Sequence, residues 1–275
     1  MTEPGGKVVL TTGANSGIGL ATVVKLATLG FRSVGTVRSE SKAATVTAAA
    51  EAAGVSVETV MLDVTDEMRC AEVVDRVRPW AIVNNAGYSG VGAIEDVSDE
   101  EARKQLETMV VAPMRLARLA LPHMRNARDG RIVNVSSIYG LTTTPFSGWY
   151  QASKHALEAA SDALRLEVAR DGIRVVLIEP GGFKTGIWEE FELDVSRREN
   201  SGYEAAYDRI RSLLDPFMKF MGEPEGAAKV IAKALTVKAP RARYLVGRDA
   251  QMIAAAQPLL PSVLRDRVTR FLVGL

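Results

Sequence analysis

Tyr150 and Lys154, in the run YQASK, form the most reactive pairing that spacing reveals in this chain. At i, i+4 they share one face of a helix, where an ammonium beside a phenol favours the phenolate and lowers a pKa ordinarily near 10. A phenol tuned in this way exchanges a proton near neutral pH, as acid in one direction and base in the other. The same spacing also describes an ordinary solvent-facing helix pair, so its meaning depends on its surroundings. Ser137 stands thirteen residues before Tyr150, at the end of an apolar run, with Ser136 as its rival for a hydroxyl at that place. Phe146 and Trp149 immediately precede the tyrosine and are placed to line a substrate pocket.

A second chemistry is written in TGANSGIG, residues 12–19, where a β-rich run passes directly into a helical pattern. Gly13 permits a tight turn, Gly17 lets backbone approach a pyrophosphate, and Gly19 allows close helix packing. The N–H groups of Asn15, Ser16, Gly17 and Ile18 open the helix and suit an anion. An ordinary βα turn is the plainer reading, but this one falls at the first strand-to-helix junction of an alternating chain. The spacing GxxxGxG also differs from the commoner GxGxxG. Adenosine ribose recognition is expected about 20 residues beyond the last glycine, from a carboxylate for NAD or an arginine for a 2′-phosphate. Thr36-Val37-Arg38 occupies that place, and Arg38 points to NADP(H). Glu40 nearby leaves NAD(H) open, and Arg38 can equally be a solvated surface residue. Asp63, followed by Val64, either bonds the adenine amino group or caps the next helix.

The elements that must position these residues follow from alternation. Short apolar runs at 8–12, 33–37, 57–62, 81–84, 131–136, 174–179 and 243–246 predict seven strands, too continuously apolar for a half-exposed sheet. Helical patterns at 18–29, 42–53, 66–77, 100–125, 150–170 and 224–236 lie between them. This is the signature of βαβ units and a parallel sheet with right-handed crossovers, expected as one domain over 1–275. An insertion at 184–222 and a tail at 249–275 break the rhythm.

Composition excludes other classes. Lys plus Arg total 34 against 33 Asp plus Glu, so no basic footprint for nucleic acid exists. A single cysteine, Cys70, rules out internal disulfides and thiolate metal sites. No apolar run approaches the roughly 18 residues of a membrane span, and the first residues lack signal-peptide order. A cytoplasmic protein without a metal is therefore expected.

Taken together, TGANSGIG at 12–19, NNAG at 84–87, Ser137, YQASK at 150–154 and EPGGFKT at 179–185 resemble the short-chain dehydrogenase/reductase family in order and spacing. LPHM at 121–124, the insertion and RYLVG at 243–247 resemble its hydroxysteroid and retinol dehydrogenase-like branch. The resemblance implies a doubly wound Rossmann fold and a nicotinamide-dependent oxidoreductase acting on a carbonyl or alcohol. It implies Tyr150 as general acid or base, Ser137 as hydrogen-bond partner of the substrate oxygen, and Lys154 on the nicotinamide ribose. Asn84, Asn85, Ala86 and Gly87 would line the cofactor cleft, and Pro180, Gly181, Phe183 and Thr185 would wrap the nicotinamide end.

One departure stands out. The family places an asparagine in an E-x-N-x-x-G stretch, where it supports a water in the proton relay from the lysine. Here the stretch reads Glu107-Thr108-Met109-Val110-Val111-Ala112. A thioether cannot replace the amide. A second reading follows: an NADP(H)-binding sensor or regulator with impaired catalysis.

The insertion carries Trp188, Phe191, Tyr203, Tyr207 and Phe217, which either cover a pocket for a steroid, retinoid, lipid or aromatic ketone or pack on the domain. Apolar positions on the 100–125 and 150–170 helices, among them Leu106, Val110, Ala152, Ala156 and Ala159, predict a homodimer or homotetramer. The amphipathic tail packs on its own domain, a neighbouring subunit, the pocket mouth or a membrane surface.

Overall fold

The computed structural model describes residues 6–198, 201–218 and 221–275. Seven parallel strands form one sheet: β1 (Val8–Thr11), β2 (Arg32–Val37), β3 (Glu58–Met61), β4 (Ala81–Asn84), β5 (Gly130–Val135), β6 (Ile173–Pro180) and β7 (Arg243–Val246). Their order is β3-β2-β1-β4-β5-β6-β7, with Thr11 level with Val83 and Asn84 level with Asn134. The strand order reverses between β1 and β4, and in open α/β sheets that switch point is where a cofactor crevice opens.

Successive strand residues face opposite helix layers, because the pleat turns them to alternate sides. Leu10, Ile82 and Ile132 pack against α3 (Glu67–Val77) and α5 (Ala112–Ala127). Their neighbours Val9, Val83 and Val133 pack against α1 (Gly17–Thr28) and α9 (Pro224–Thr236). Each fully buried aliphatic side chain contributes roughly 1.5–3 kcal/mol. The remaining elements are α2 (Glu40–Ala52), α4 (Asp99–Leu106), α6 (Gly148–Glu167), α7 (Ile187–Ser196), α8 (Glu204–Met218), α10 (Arg248–Ala256) and α11 (Ser262–Val273).

Capping explains most of the boundaries. Asp66 accepts the Arg69 N–H and so lies outside α3, while Ser39 accepts from Lys42 N and starts α2 earlier than periodicity suggests. The helix expected over 100–125 is interrupted: a π turn at Glu107–Val111 separates α4 from α5, with Ala112 N–H bonded back to Glu107 O. Arg115 anchors the turn, pairing with Glu107 at 2.7 Å and donating to Val64 O at 3.1 Å. The extra residue has no hydropathic signature, so periodicity could not reveal it. Among the described residues, insertion 184–222 contains α7 and α8, and the tail forms α10 and α11.

Candidate active site

The β1–α1 turn is held from behind by the β4 loop. Thr12 N–H donates to Val83 O, and Thr12 Oγ1 accepts from both Asn85 N and Ala86 N at 3.0 Å. Asn85 Nδ2 returns to Thr12 O at 3.0 Å and Gly13 O at 3.2 Å. Gly13 adopts φ +65°, the left-handed region that favours glycine. A Cβ at Gly19 would collide with Gly13 O and Asn85 Nδ2, so helix and loop can approach this closely only over a glycine. The N-cap Ser16 makes no side-chain capping bond, and Asn15, Ser16 and Ile18 remain wholly or partly accessible. Unspent N–H groups at a helix N-terminus over a glycine cradle fit a pyrophosphate. The Thr185 methyl closes over Gly17 from the far side.

At the adenosine end, β2 finishes at Val37 without a carboxylate, and Arg38 is exposed beyond it. Asp63 commits its carboxylate to Thr65, accepting from its N–H at 3.0 Å and its hydroxyl at 2.7 Å. Those bonds and the Arg38 charge hold it below its ordinary pKa, although desolvation pulls it the other way. Helix capping at this point belongs to Asp66. Val64 is buried, its carbonyl taking the Arg115 and Cys70 side chains.

At the opposite end, Ser137, Tyr150 and Lys154 converge. Ser137, two residues beyond β5, opens a short turn, accepting from Tyr139 N at 3.2 Å, and its side chain is hydrogen-bonded to Tyr150. Lys154, on the next turn of α6, is buried; its Nζ donates to Val135 O at 2.9 Å and stands 5.5 Å from the centre of the Tyr150 ring. Tyr139 meets Tyr150 edge-on at 6.3 Å. The lowered phenol expected from the Tyr-Lys pair is not what the protein alone displays. Burial pushes Tyr150 up to about 12, against the Ser137 hydrogen bond, and burial lowers Lys154 to about 8, partly offset by Glu158. Desolvation penalises both charged forms.

Asn84 lies deeper than the cleft. Its Nδ2 donates to Asn134 Oδ1 at 2.8 Å, and Asn134 Nδ2 continues to Ser161 Oγ, binding β4, β5 and α6 together. Met109, in the π turn, is buried, and its sulfur faces Gly87 at 3.3 Å from where a Cβ would stand. The 180–185 segment follows β6. Gly181 N–H bonds Val246 O at 2.9 Å, Gly182 N–H bonds Asp249 Oδ2 at 2.6 Å, and the Phe183 ring is buried in the core cluster of α9. Asp249 and Tyr139 were not apparent from motif spacing; an acid just after a strand and Gly247, in the first turn of α10, was the available signal for Asp249.

Phe146 and Trp149 part company. Trp149 remains half-exposed beside Tyr150, whereas Phe146 is buried at φ +64°, rare for a bulky residue. Its ring packs 5.5 Å from Tyr203 and 4.8 Å from Tyr207, fastening the insertion to the 144–148 loop. The Trp188 side chain lies outside the described residues, as does that of Phe217. An open groove of about 840 Å³ lined by Gly17, Leu20, Lys25, Thr185 and Met221 runs along α1, and Ser137, Tyr150 and Lys154 are absent from its walls.

The sheet order and the glycine cradle at the switch point fit a nicotinamide cofactor, and Ser137, Tyr150 and Lys154 come together beyond the carboxyl end of β5 in the same sheet. A family model described as short chain dehydrogenase matches residues 7–196, and the chain belongs to that family. It is similar to an uncharacterized oxidoreductase of Bacillus subtilis, 36% identical, spanning 93% of this chain and 94% of the relative. It is similar to the 3-ketodihydrosphingosine reductase of Bacteroides thetaiotaomicron, 32% identical over 90% and 91%. The NADPH-dependent 3-dehydrocapnine reductase of Ornithobacterium rhinotracheale is 31% identical over 95% of each chain. A short-chain dehydrogenase/reductase of Burkholderia phymatum in complex with NAD superimposes with a TM-score of 0.80, 26% identical over 94% of each.

Proposed function

We propose that this oxidoreductase is an NADP(H)-preferring reductase of a carbonyl on a predominantly apolar substrate, with Tyr150 delivering the proton. The carrying observation is the convergence of Ser137, Tyr150 and Lys154 beyond the end of β5 and at the start of α6. When bound, the nicotinamide supplies the hydride. Ser137 and the Tyr150 hydroxyl hold the substrate oxygen, and the phenol protonates it as charge develops. Lys154 orients the ribose and, as an ammonium, stabilises the phenolate left behind. Gly13, Asn15, Ser16, Gly17, Ile18 and Gly19 bind the phosphates, while Asn85, Ala86, Gly87, Pro180, Gly181, Phe183 and Thr185 shape the cleft. NADP(H) preference is supported by exposed Arg38 where NAD enzymes place a carboxylate. The NADPH-dependent relative agrees with it.

An apolar substrate is supported by the relatives named as reductases of 3-ketodihydrosphingosine and 3-dehydrocapnine, and by an apolar insertion whose Phe191, Tyr203 and Tyr207 pack with Phe146 in the loop that leads to Trp149 and Tyr150. Homo-oligomerisation is supported by the outer face of α6, where Ala152, Ala159, Ala163 and Leu166 are exposed in one chain. Among the described residues no helix is long and apolar enough to cross a membrane.

The test is steady-state NADPH oxidation with long-chain, steroid, retinoid and aromatic ketones, with Tyr150→Phe as control. Turnover of an apolar ketone, reduced at least a hundredfold in the control, is expected from the loss of a general acid worth about 10²–10⁴. Tight NADPH binding without turnover would instead favour the sensor reading, which buried Met109 supports.

A further inference from the structure

Behind α6 lies a charge cluster that the chemistry above leaves unused. Tyr150, Lys154 and Glu158 follow one another at i, i+4, i+8 on one face of the helix. Glu179 of β6 meets Glu158 from the sheet, and both carboxylates are buried, at 6% exposure for Glu158 and 1% for Glu179. Arg243 of β7 clamps them: its Nε lies 3.1 Å from Glu158 Oε2 and 3.2 Å from Glu179 Oε1. The same guanidinium reaches Asp162 at 2.6 Å, and Asp162 also takes Arg165 at 3.0 Å.

One guanidinium therefore serves two buried carboxylates and a third nearer the surface. Neither Glu158 Oε1 nor Glu179 Oε1 receives a well-aligned hydrogen bond from a described residue, and the two side chains approach within hydrogen-bond reach of each other. Two carboxylates that close, withdrawn from water, do not both ionise freely; one proton held between them resolves the contact. Burial and then the neighbouring Glu158 push Glu179 up to about 7, and burial moves Glu158 in the same direction.

The cluster bears on Lys154 because few other charges face that ammonium. Lys154 meets Tyr150 and Glu158 from its own helix, and Tyr139 stands behind Tyr150 with Asp249 of α10 acting on it. The nearby strand ends contribute the neutral amides Asn84 and Asn134, and the buried residues of α4 and the π turn, Ala102, Gln105 and Met109, are uncharged. The carboxylate pair itself faces Ser136 from β5, Arg243 from β7, and Asp162 and Arg165 from α6.

We propose that Glu158 and Glu179, sharing one proton on Arg243, are positioning residues that set the charge carried by Lys154 and, through it, the proton step at Tyr150. The consequence for turnover rests on the reductase reading; the coupling to Lys154 does not. When the pair gives up its shared proton, a second negative charge forms behind α6 and favours the ammonium at the pH where burial would otherwise strip it. Nothing in this role requires either glutamate to touch substrate.

The experiment is an NMR titration of the cofactor-free protein labelled at lysine Cε and glutamate Cδ, with Lys154→Met and Glu179→Gln assigning the resonances. The wild type is expected to display a glutamate titrating near 7 and a lysine near 8. Glu158→Gln should lower the Lys154 midpoint by about one pH unit, the lower end of the effect of a close opposite charge, and Glu179→Gln should shift it less in the same direction. In turnover, the alkaline limb of kcat for ketone reduction should move down in parallel while KM for the ketone stays fixed. A wild type without the displaced glutamate, or a Lys154 midpoint unmoved in folded Glu158→Gln, overturns the inference. A moved midpoint in a protein that reduces no ketone would leave the coupling standing and remove the reductase reading. Turnover with an unmoved midpoint would do the reverse.

Discussion

The phosphate turn and the insertion flank the same cleft but are built on opposite principles. Residues 12–19 are fixed by uncharged hydrogen bonds between side chains and backbone and by the bare glycines: Thr12 Oγ1 and Asn85 Nδ2 tie the turn to the β4 loop, and Gly19 leaves room for Gly13 O. The insertion is fixed by side chains across long sequence separations. Tyr207 donates to Asp96 at 2.7 Å and accepts Ala93 N–H at 2.6 Å, Asp194 accepts Val91 N–H, and Arg198 grips Glu101 at 2.8 Å. A turn held by uncharged groups around glycines tolerates few substitutions and ignores salt and pH, whereas a clasp that includes carboxylates and an arginine can be adjusted and titrated.

The contrast can be broken first at the turn. Gly19→Ala forces a methyl into Gly13 O and Asn85, an overlap worth about 1–3 kcal/mol, so NADPH affinity should fall on the order of 10- to 100-fold by fluorescence titration. At the insertion, Tyr207→Phe strands Ala93 N–H, leaves Asp96 with Ser201 as its remaining hydroxyl partner, and should cost about 1–3 kcal/mol in urea unfolding. Its NADPH affinity should remain near wild type; equal losses in both measurements would erase the distinction between the two regions. Arg38→Asp should move the NADPH-to-NADH preference by about tenfold or more, one charge-assisted contact being worth roughly 1.5–3 kcal/mol, without changing stability. Unaltered preference would make Arg38 a solvated residue.

The smallest effects are those of pH. Glu101 is held at about 2, first by Arg198, so its native pKa lies below the ordinary 4.5. That stabilisation is present above 4.5 and drains as pH falls toward 2, and proteolytic nicking of the insertion should rise over that window while Arg198→Gln flattens it. Glu179 has the opposite sign. Its raised pKa means the native state binds the extra proton, so its contribution falls as pH rises from 4.5 to about 7, and Glu179→Gln should remove that slope from thermal unfolding.

Much of the site was legible because its signals are local. Glycines 13, 17 and 19 at a strand-to-helix junction, and Tyr150 with Lys154 one turn apart, state their geometry in their spacing, and the structure places them so. Phe146 shows where such reading ends. Its position suggested a pocket wall, but its left-handed backbone turns the ring into Tyr203 and Tyr207, residues of a segment over fifty positions away. The π turn at Met109 escaped for another reason: inserting one residue into a helix leaves the apolar pattern readable on either side.

By itself the sequence determined the alternation of strands and helices, hence a parallel sheet covered on both faces, and the placement of a phosphate turn and a Tyr-Lys pair at its edge. Those properties depend on periodicity and on neighbours within one turn. The tertiary structure alone decided that Lys154 is buried and Tyr150 partly so, with a desolvation that disfavours both their charges. It alone brought Glu158, Glu179 and Arg243 from three separate elements into one cluster. Burial and long-range charge depend on what the whole chain excludes from water, and no local pattern encodes that.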